Sequence, residues 1–363
     1  MNNASKMLHL GVVGPLPPPA GGMATQTRQL VNLLREEQVE VSLVQNNKPY
    51  RPKLIEKAKG IRALFRLIPY LFEVWKLAGR VDVIHLMANS GWSWRLFSAP
   101  VVWVGWFRKT PVIVNYRGGE AKNYFEKSFK WVQPTLNKAS RIAVPSGYLK
   151  KVFSDFGLKT QVISNIVNLE RFKPSYTEGP KQTFKLIITR NLEAIYGIDT
   201  AIRAVAIAKQ QVPNLSLEIA GSGPQKKELE ELVEALGLQQ QVRFVGRLDA
   251  EQIVEFYHSA DIMLNPTTVD NMPNSVLEAL ACGVPVITTN VGGIPFIVEH
   301  EKTAVMVSVA DEAGMASQIV SLNKSPDIRE NLISNGLDAV QPYAWPCVKG
   351  LWIDLYNELK VNK

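Results

Sequence analysis

The sequence predicts an α/β protein built from two doubly wound parallel sheets, and three observations carry that expectation. Short β-rich runs alternate with stretches of helical periodicity along the whole chain, the pattern of strands joined by crossover helices. At 363 residues and 46% hydrophobic content the chain is long enough for two domains, each with its own core. Between Asn165 and Thr183 the periodicity breaks at Asn168, Pro174, Gly179 and Pro180 and the charge balance changes sign, which marks a domain junction. The expected domains are therefore 1–170 and 171–342, with 343–363 as a closing amphipathic helix around Trp345, Trp352, Leu355 and Tyr356.

In the first domain the expected strands cover 8–13, 39–44, 81–85, 111–114, 141–144 and 161–163. In the second they cover 185–188, 215–220, 242–245, 261–264, 284–288 and 304–307. Each is a short apolar run bounded by turn or helix signals, as parallel strands buried on both faces require. The apolar run 7–13 leads into Gly14, Pro15 and a proline triplet, so it reads as a first strand and not as a signal peptide. The longest apolar stretch, 96–107, is closed by Arg95 and Arg108 and is shorter than the roughly 18 residues of a spanning helix.

Composition excludes disordered and fibrous classes. Two distant cysteines, Cys282 and Cys347, give neither a disulfide framework nor metal-ligand spacing, which fits a reducing cytoplasm. The net charge of +8 divides unevenly: residues 1–170 carry 24 Lys and Arg against 10 Asp and Glu, a balance of +14, and the remainder sum to −6. Residues 48–80 alone carry nine basic and two acidic side chains around Ile61, Leu64, Phe65, Leu67, Ile68, Leu71, Phe72 and Trp75. That composition suits an anionic membrane surface, and equally a core-packed helix with a solvated basic face. No nucleic-acid motif accompanies the charge, so nucleic acid is not an expected partner.

The stretch 270–287, DNMPNSVLEALACGVPVI, places two carboxylates eight residues apart around a helix start. Pro273 fits a first helical position with Asn271 or Met272 at the cap, and the unpaired N–H groups of the first turn, through Asn274 and Ser275, suit an anion such as a diphosphate. Asp270 can accept from sugar hydroxyls, and Glu278, two turns on, can reach a ribose diol. Taken singly, either carboxylate is better read as an ordinary loop or surface residue.

The whole string resembles the signature of the retaining nucleotide-sugar glycosyltransferases with two facing Rossmann-like domains, the GT-B fold, in the large family numbered four. Asp270 stands where most members have Glu. The resemblance continues through Arg190 after the strand 185–188, the Gly221-Ser222-Gly223-Pro224 turn, Phe244-Val245-Gly246 and Gly292-Gly293-Ile294-Pro295. It implies that Arg190 binds phosphate, that Val245 lies in the strand lining the base, and that the last helix crosses back onto the first domain. Most members add a Lys about five residues after the Arg; Tyr196 lies near that place, so the second phosphate cation is missing.

In the first domain the loop 17–23 offers Gly21 and Gly22 for close approach of backbone N–H groups to a phosphate; in the resembled family this loop faces the donor diphosphate across the cleft. Arg117 stands where many members have His. It cannot serve as a general base, but it can hold a phosphate or a sugar hydroxyl. Glu120 is a candidate acceptor-side carboxylate. His85 reads as a satisfied buried histidine, with a catalytic role as the alternative.

The resemblance implies a metal-independent retaining transferase, with no cofactor and no metal, that moves a sugar from a nucleotide-diphosphate-sugar to a glycan or lipid-linked glycan acceptor. Arg190, Arg117 and Asp270 form the expected catalytic set. A cytoplasmic location with peripheral contact at the inner face of the plasma membrane is the matching expectation. Two other readings stay open: a nucleotide-sugar epimerase or hydrolase of the same fold, and a non-catalytic membrane or nucleic-acid adaptor that keeps a degenerate fold.

Overall fold

The computed structural model describes residues 8–18, 21–49, 62–175 and 183–360. Pro19, Ala20, Ile61, Gly179 and Pro180 lie outside the described residues, as does the side chain of Leu64. The chain forms two compact units, one from residues 1–166 with 345–363 and one from 167–344.

The first unit runs β1 (His9–Gly14), α1 (Gly22–Glu36), β2 (Glu40–Gln45), α2 (Arg62–Ala78), β3 (Val83–Ala88), α3 (Gly91–Ser93), α4 (Ala99–Arg108), β4 (Val112–Tyr116), α5 (Ala121–Leu136), β5 (Arg141–Val144), α6 (Gly147–Asp155) and β6 (Gln161–Val162). Its sheet has the order β2-β1-β3-β4-β5-β6, with every pair parallel. One face packs Ile84, Leu86 and Val114 against α2, α4, α5 and α6. The other packs Leu10, Val12 and Ile113 against α1 and the C-terminal helix (Trp345–Leu359), whose Val348, Trp352, Leu355 and Tyr356 are buried. Burial of such a side chain contributes about 1.5–3 kcal/mol. Val and Ile at alternate strand positions therefore serve both faces.

β3 continues past His85 to Ala88, because Leu86–Ala88 are buried and keep pairing with β4 through Met87 opposite Asn115 and Ala88 opposite Tyr116. The apolar run 96–107 is not one regular helix. A π-helical turn, Trp94–Ser98, feeds into α4.

The second unit runs β7 (Phe184–Thr189), α7 (Ile198–Ala208), β8 (Leu215–Ala220), α8 (Lys226–Ala235), β9 (Val242–Gly246), α9 (Gln252–His258), β10 (Ile262–Asn265), α10 (Asn274–Ala281), β11 (Val286–Thr289), β12 (Val305–Val307), α11 (Glu312–Lys324) and α12 (Pro326–Val340). The sheet order is β12-β11-β10-β7-β8-β9, again wholly parallel. Leu186, Ile188, Leu217 and Leu264 pack on one face with α7 and α11. Ile187, Met263 and Val286 pack on the other with α9 and α10. Among the described residues no helix is long and apolar enough to cross a membrane.

Candidate functional site

β7 and β10 are neighbours in the second sheet, although β8 and β9 separate them in sequence. The sheet grows one way from β7 and then the other way from β10, so the carboxyl ends of these two strands form a topological switch point, where open α/β sheets bind ligands. Arg190 is the first residue beyond β7, Asn265 is the last of β10, and Asp270 follows in the next loop.

These three side chains meet. Arg190 Nε and Nη2 donate to Asn265 Oδ1 at 2.9 and 2.8 Å, and Nη2 also donates to Asp270 Oδ2 in an ion pair whose side chains are each 12% exposed. Asn265 is fully buried; its Nδ2 donates to Thr288 Oγ1 of β11 at 2.9 Å. The fork of Arg190 is thus held in place by neighbouring strands. The guanidinium carbon lies 5.0 Å from the ring centroid of Tyr196, within cation–π range. The position from which the second cation is missing therefore carries a ring that packs on the first.

Burial pushes the Asp270 carboxyl above its ordinary pKa, against the opposing pull of Arg190 and of the Asn271 N–H, which donates to Oδ1 at 2.9 Å. The loop carrying Asp270 is clasped by Gly292 and Gly293. The Gly293 N–H donates to the Asp270 carbonyl at 3.0 Å. A Cβ at Gly292 would lie 2.0 Å from Asp270 O, and one at Gly293 would lie 1.7 Å from Asn271 O. The glycine pair beyond β11 thus sets where Asp270 sits.

The helix after Asp270 starts one residue later than the sequence suggests. Pro273 has the helical φ of −68° but an extended ψ of 117°, so it is the cap itself, and α10 begins at Asn274. Met272 is not a cap residue; its side chain is buried in the core formed with Phe256 and Ile294. Asn271 is buried, Asn274 half-buried, and Ser275 is buried with an Oγ that has no hydrogen-bond partner. Glu278 is no surface residue either: Oε2 accepts a hydrogen bond from the Tyr257 hydroxyl at 3.0 Å, and burial raises its pKa above the usual value.

The turn after β8 closes on the same end of the sheet. A Cβ at Gly221 would lie 1.9 Å from Arg190 O, and the Gly221 N–H donates to Gly246 O at 2.8 Å. Gly221 thereby ties the Arg190 backbone to the end of β9, where Val245 is half-buried.

In the first unit, Gly21 caps α1 with φ −164° and has nothing within 4 Å of an added Cβ. Gly22 opens the helix. Arg117 follows β4 and donates to Asn165 Oδ1, and burial pushes its pKa down to about 10. His85 is fully buried. Asn115 Nδ2 donates to its Nε2 at 3.0 Å, so Nδ1 carries the hydrogen and donates to the Tyr356 hydroxyl at 2.8 Å. Burial, with Arg117 nearby, lowers its pKa to about 3 and keeps the ring neutral. The structure therefore matches the reading of a satisfied core histidine. Glu120 is exposed at the cap of α5. The structure brings Arg190, Asp270, Gly221 and the start of α10 to one edge of the second sheet.

Two residues of this edge escape a reading of the sequence. Asn265 is one polar side chain ending a buried apolar strand, a usable signal at the carboxyl edge of a parallel sheet. Tyr257 sits in a helix pattern with nothing to distinguish it; its link to Glu278 exists only in three dimensions. Among the described residues no group of three His, Cys, Asp or Glu is placed to hold a metal ion.

The two wholly parallel six-stranded sheets match the two-domain Rossmann-like GT-B fold. The chain resembles the Anabaena Alr3699/HepE structure solved in complex with UDP, with a TM-score of 0.76 at 17% identity, covering 97% of this chain and 100% of that one. The family described as "Glycosyltransferase Family 4" matches residues 20–171, and "Glycosyl transferases group 1" matches residues 171–338. The chain belongs to the GT-B glycosyltransferases of the family 4 type. Among curated relatives, it is 29% identical over 206 residues to N-acetyl-alpha-D-glucosaminyl L-malate synthase of Bacillus anthracis, covering 56% of this chain and 52% of that protein. It is 26% identical over 214 residues to D-inositol 3-phosphate glycosyltransferase of Saccharomonospora viridis, covering 54% and 50%. The chain spans about half the length of these curated relatives.

Proposed function

We propose that this protein transfers a sugar from a nucleoside-diphosphate-sugar to a glycan or lipid-linked glycan acceptor, with retention of anomeric configuration, in polysaccharide or glycolipid biosynthesis. The observation that carries the reading is the Arg190–Asn265–Asp270 cluster at the switch point of the second sheet. The neighbouring fold bound to UDP and UDP-glucose supports a uridine nucleotide as the first donor to test.

In the proposed reaction the bond from the anomeric carbon to the diphosphate oxygen breaks and its electron pair leaves with the nucleoside diphosphate. The acceptor hydroxyl adds to the same face of the sugar and passes its proton to the departing phosphate oxygen. The barrier lies in the charge that develops on the leaving phosphate. A guanidinium already held in place lowers it without reorganisation at the moment of reaction. Arg190 takes that role, with the first turn of α10 beside it, and no resident metal is invoked. Asp270 orients the sugar, Glu278 receives the ribose diol, and Val245 lies along the base. Within the first unit, Arg117, Glu120 and the Gly21–Gly22 turn are the residues proposed for substrate binding.

The test is thermal stabilisation of the purified protein across uridine, guanosine and cytidine diphosphates and their sugar conjugates, followed by a transfer assay with the nucleotide that responds. A ligand that binds only the native state raises the melting temperature. One nucleotide series is expected to stabilise the protein, and Glu278→Ala is expected to weaken that response. No response from a folded protein to any of them refutes the proposal.

A further inference from the structure

Helix α2 carries apolar side chains on two faces. Tyr70, Val74, Leu77 and Ala78 are buried against the first sheet. Phe65, Ile68, Phe72 and Trp75 recur at spacings of three and four residues, which at about 100° per residue places them within an arc of roughly 80° on another face. These four side chains, together with Trp106 and Phe107 at the end of α4, are between 45% and 65% exposed. Large apolar side chains grouped in this way mark an interaction surface.

The two helices form one surface. The Arg108 guanidinium lies 5.0 Å from the Trp75 ring centroid and joins the stripe on α2 to Phe107, whose ring is 4.9 Å from that of Trp106. Lys76 Nζ stands 4.2 Å from the Phe72 centroid, and Lys138 Nζ stands 4.3 Å from that of Trp106. Aromatic rings and cations therefore alternate across the patch.

Charge selects the occupant. Residues 62–110 hold seven Lys and Arg against two Asp and Glu. Of the two acids, Asp82 is buried and accepts from the His9 N–H, and Glu73 is ion-paired with Lys48. The surface is thus cationic, and a second copy would set cation against cation. A surface of anionic lipid phosphates complements it, and Trp, Phe, Lys and Arg are the side chains that lie well at a headgroup boundary. With no helix among the described residues able to span a bilayer, seating in the interface is the geometry available.

We infer that α2 and the end of α4 seat this protein on an anionic lipid bilayer. The apolar stripe enters the headgroup–acyl boundary, and Lys76, Arg108 and Lys138 reach the phosphates. The inference stands independently of the proposed sugar transfer.

The experiment is co-sedimentation of the full chain with vesicles of phosphatidylcholine alone and with about a third phosphatidylglycerol added. The wild type is expected to bind the phosphatidylglycerol vesicles, to release them in high salt, and to bind neutral vesicles weakly. Phe72→Ser with Trp75→Ser removes two apolar anchors and is expected to lower the partition coefficient at least about tenfold. Arg108→Glu is expected to lower binding to the anionic vesicles only. Melting temperatures of all variants are compared with the wild type, and Phe65→Ser with Ile68→Ser provides a second pair on the same face. Failure of the wild type to bind phosphatidylglycerol vesicles overturns the inference. So do equal binding to neutral vesicles, full binding by both folded double variants, and dimerisation through this face without vesicle binding.

Discussion

Replacing Gly293 by Ala tests the link between the glycine clasp and the donor site. The added methyl would lie 1.7 Å from the Asn271 carbonyl oxygen, and about 1.3 Å of movement brings that separation to 3.0 Å, below which real Cβ contacts essentially never fall. Both atoms belong to backbone, so no side-chain rotation relieves the clash. The loop itself must move, and Asp270 moves with it, because Gly293 N also bonds the Asp270 carbonyl. Overpacking of this kind costs about 1–3 kcal/mol, and at about 2–4 °C per kcal/mol for a unit of this size the melting temperature falls by roughly 5 °C. A reacting group displaced by about 1 Å costs on the order of a hundredfold in rate. The assay is a melting curve with and without the stabilising nucleotide, followed by transfer rate. For the melting temperature alone, Gly21→Ala is the control: its extended backbone and empty surroundings predict a change within about 0.5 kcal/mol. Gly293→Ala that melts with the wild type and responds equally to nucleotide refutes the reasoning.

Arg190→Met leaves the buried Asp270 without its partner, so a loss of about 3 kcal/mol or more is expected by chemical denaturation. Adding Asp270→Asn should recover part of it; no recovery means the pair is not the source of the loss. Because burial raises the Glu278 pKa, its stabilising share is present at low pH and is lost as the pH climbs through a value above 4.5. Glu278→Gln should therefore melt no lower than the wild type at neutral pH, show a flatter pH dependence, and respond less to nucleotide. A lower melting temperature at neutral pH with an intact nucleotide response contradicts this account. Tyr196→Lys restores the second cation of the family pattern and is expected to tighten nucleoside diphosphate binding by about tenfold, read by titration calorimetry; unchanged affinity would show that Arg190 alone meets the phosphates.

The strands were legible because their residues answer to one local rule: Val and Ile runs such as Leu215–Ala220 are buried on both faces and can be little else. The placement of Arg190 after a strand and of Asp270 and Glu278 around a helix start is legible in the motif spacing; the roles expected of them come with the family resemblance. What the sequence hides is adjacency across the sheet. Asn265 reaches Arg190 over a separation of 75 residues, and Tyr257 reaches Glu278 from another helix. The start of α10 lies one residue beyond the expected Pro273 because proline fixes φ and leaves ψ free. The composition of α2 fits a membrane pattern and a core pattern together; burial places Tyr70, Val74, Leu77 and Ala78 in the core and leaves Phe65, Ile68, Phe72 and Trp75 exposed on another face.

The second unit is an uninterrupted length of chain, whereas the first is assembled from both ends of the sequence. Its interior is closed by Trp352 and Tyr356, and the bond from Tyr356 to His85 joins positions 271 residues apart. During synthesis the later unit can complete itself while the earlier one waits with an open flank beside Leu10, Val12 and His85. Completion of the first unit therefore depends on the helix Trp345–Leu359. A truncation or bulky fusion there should spoil the half of the protein that was made first, and leave the half made last intact.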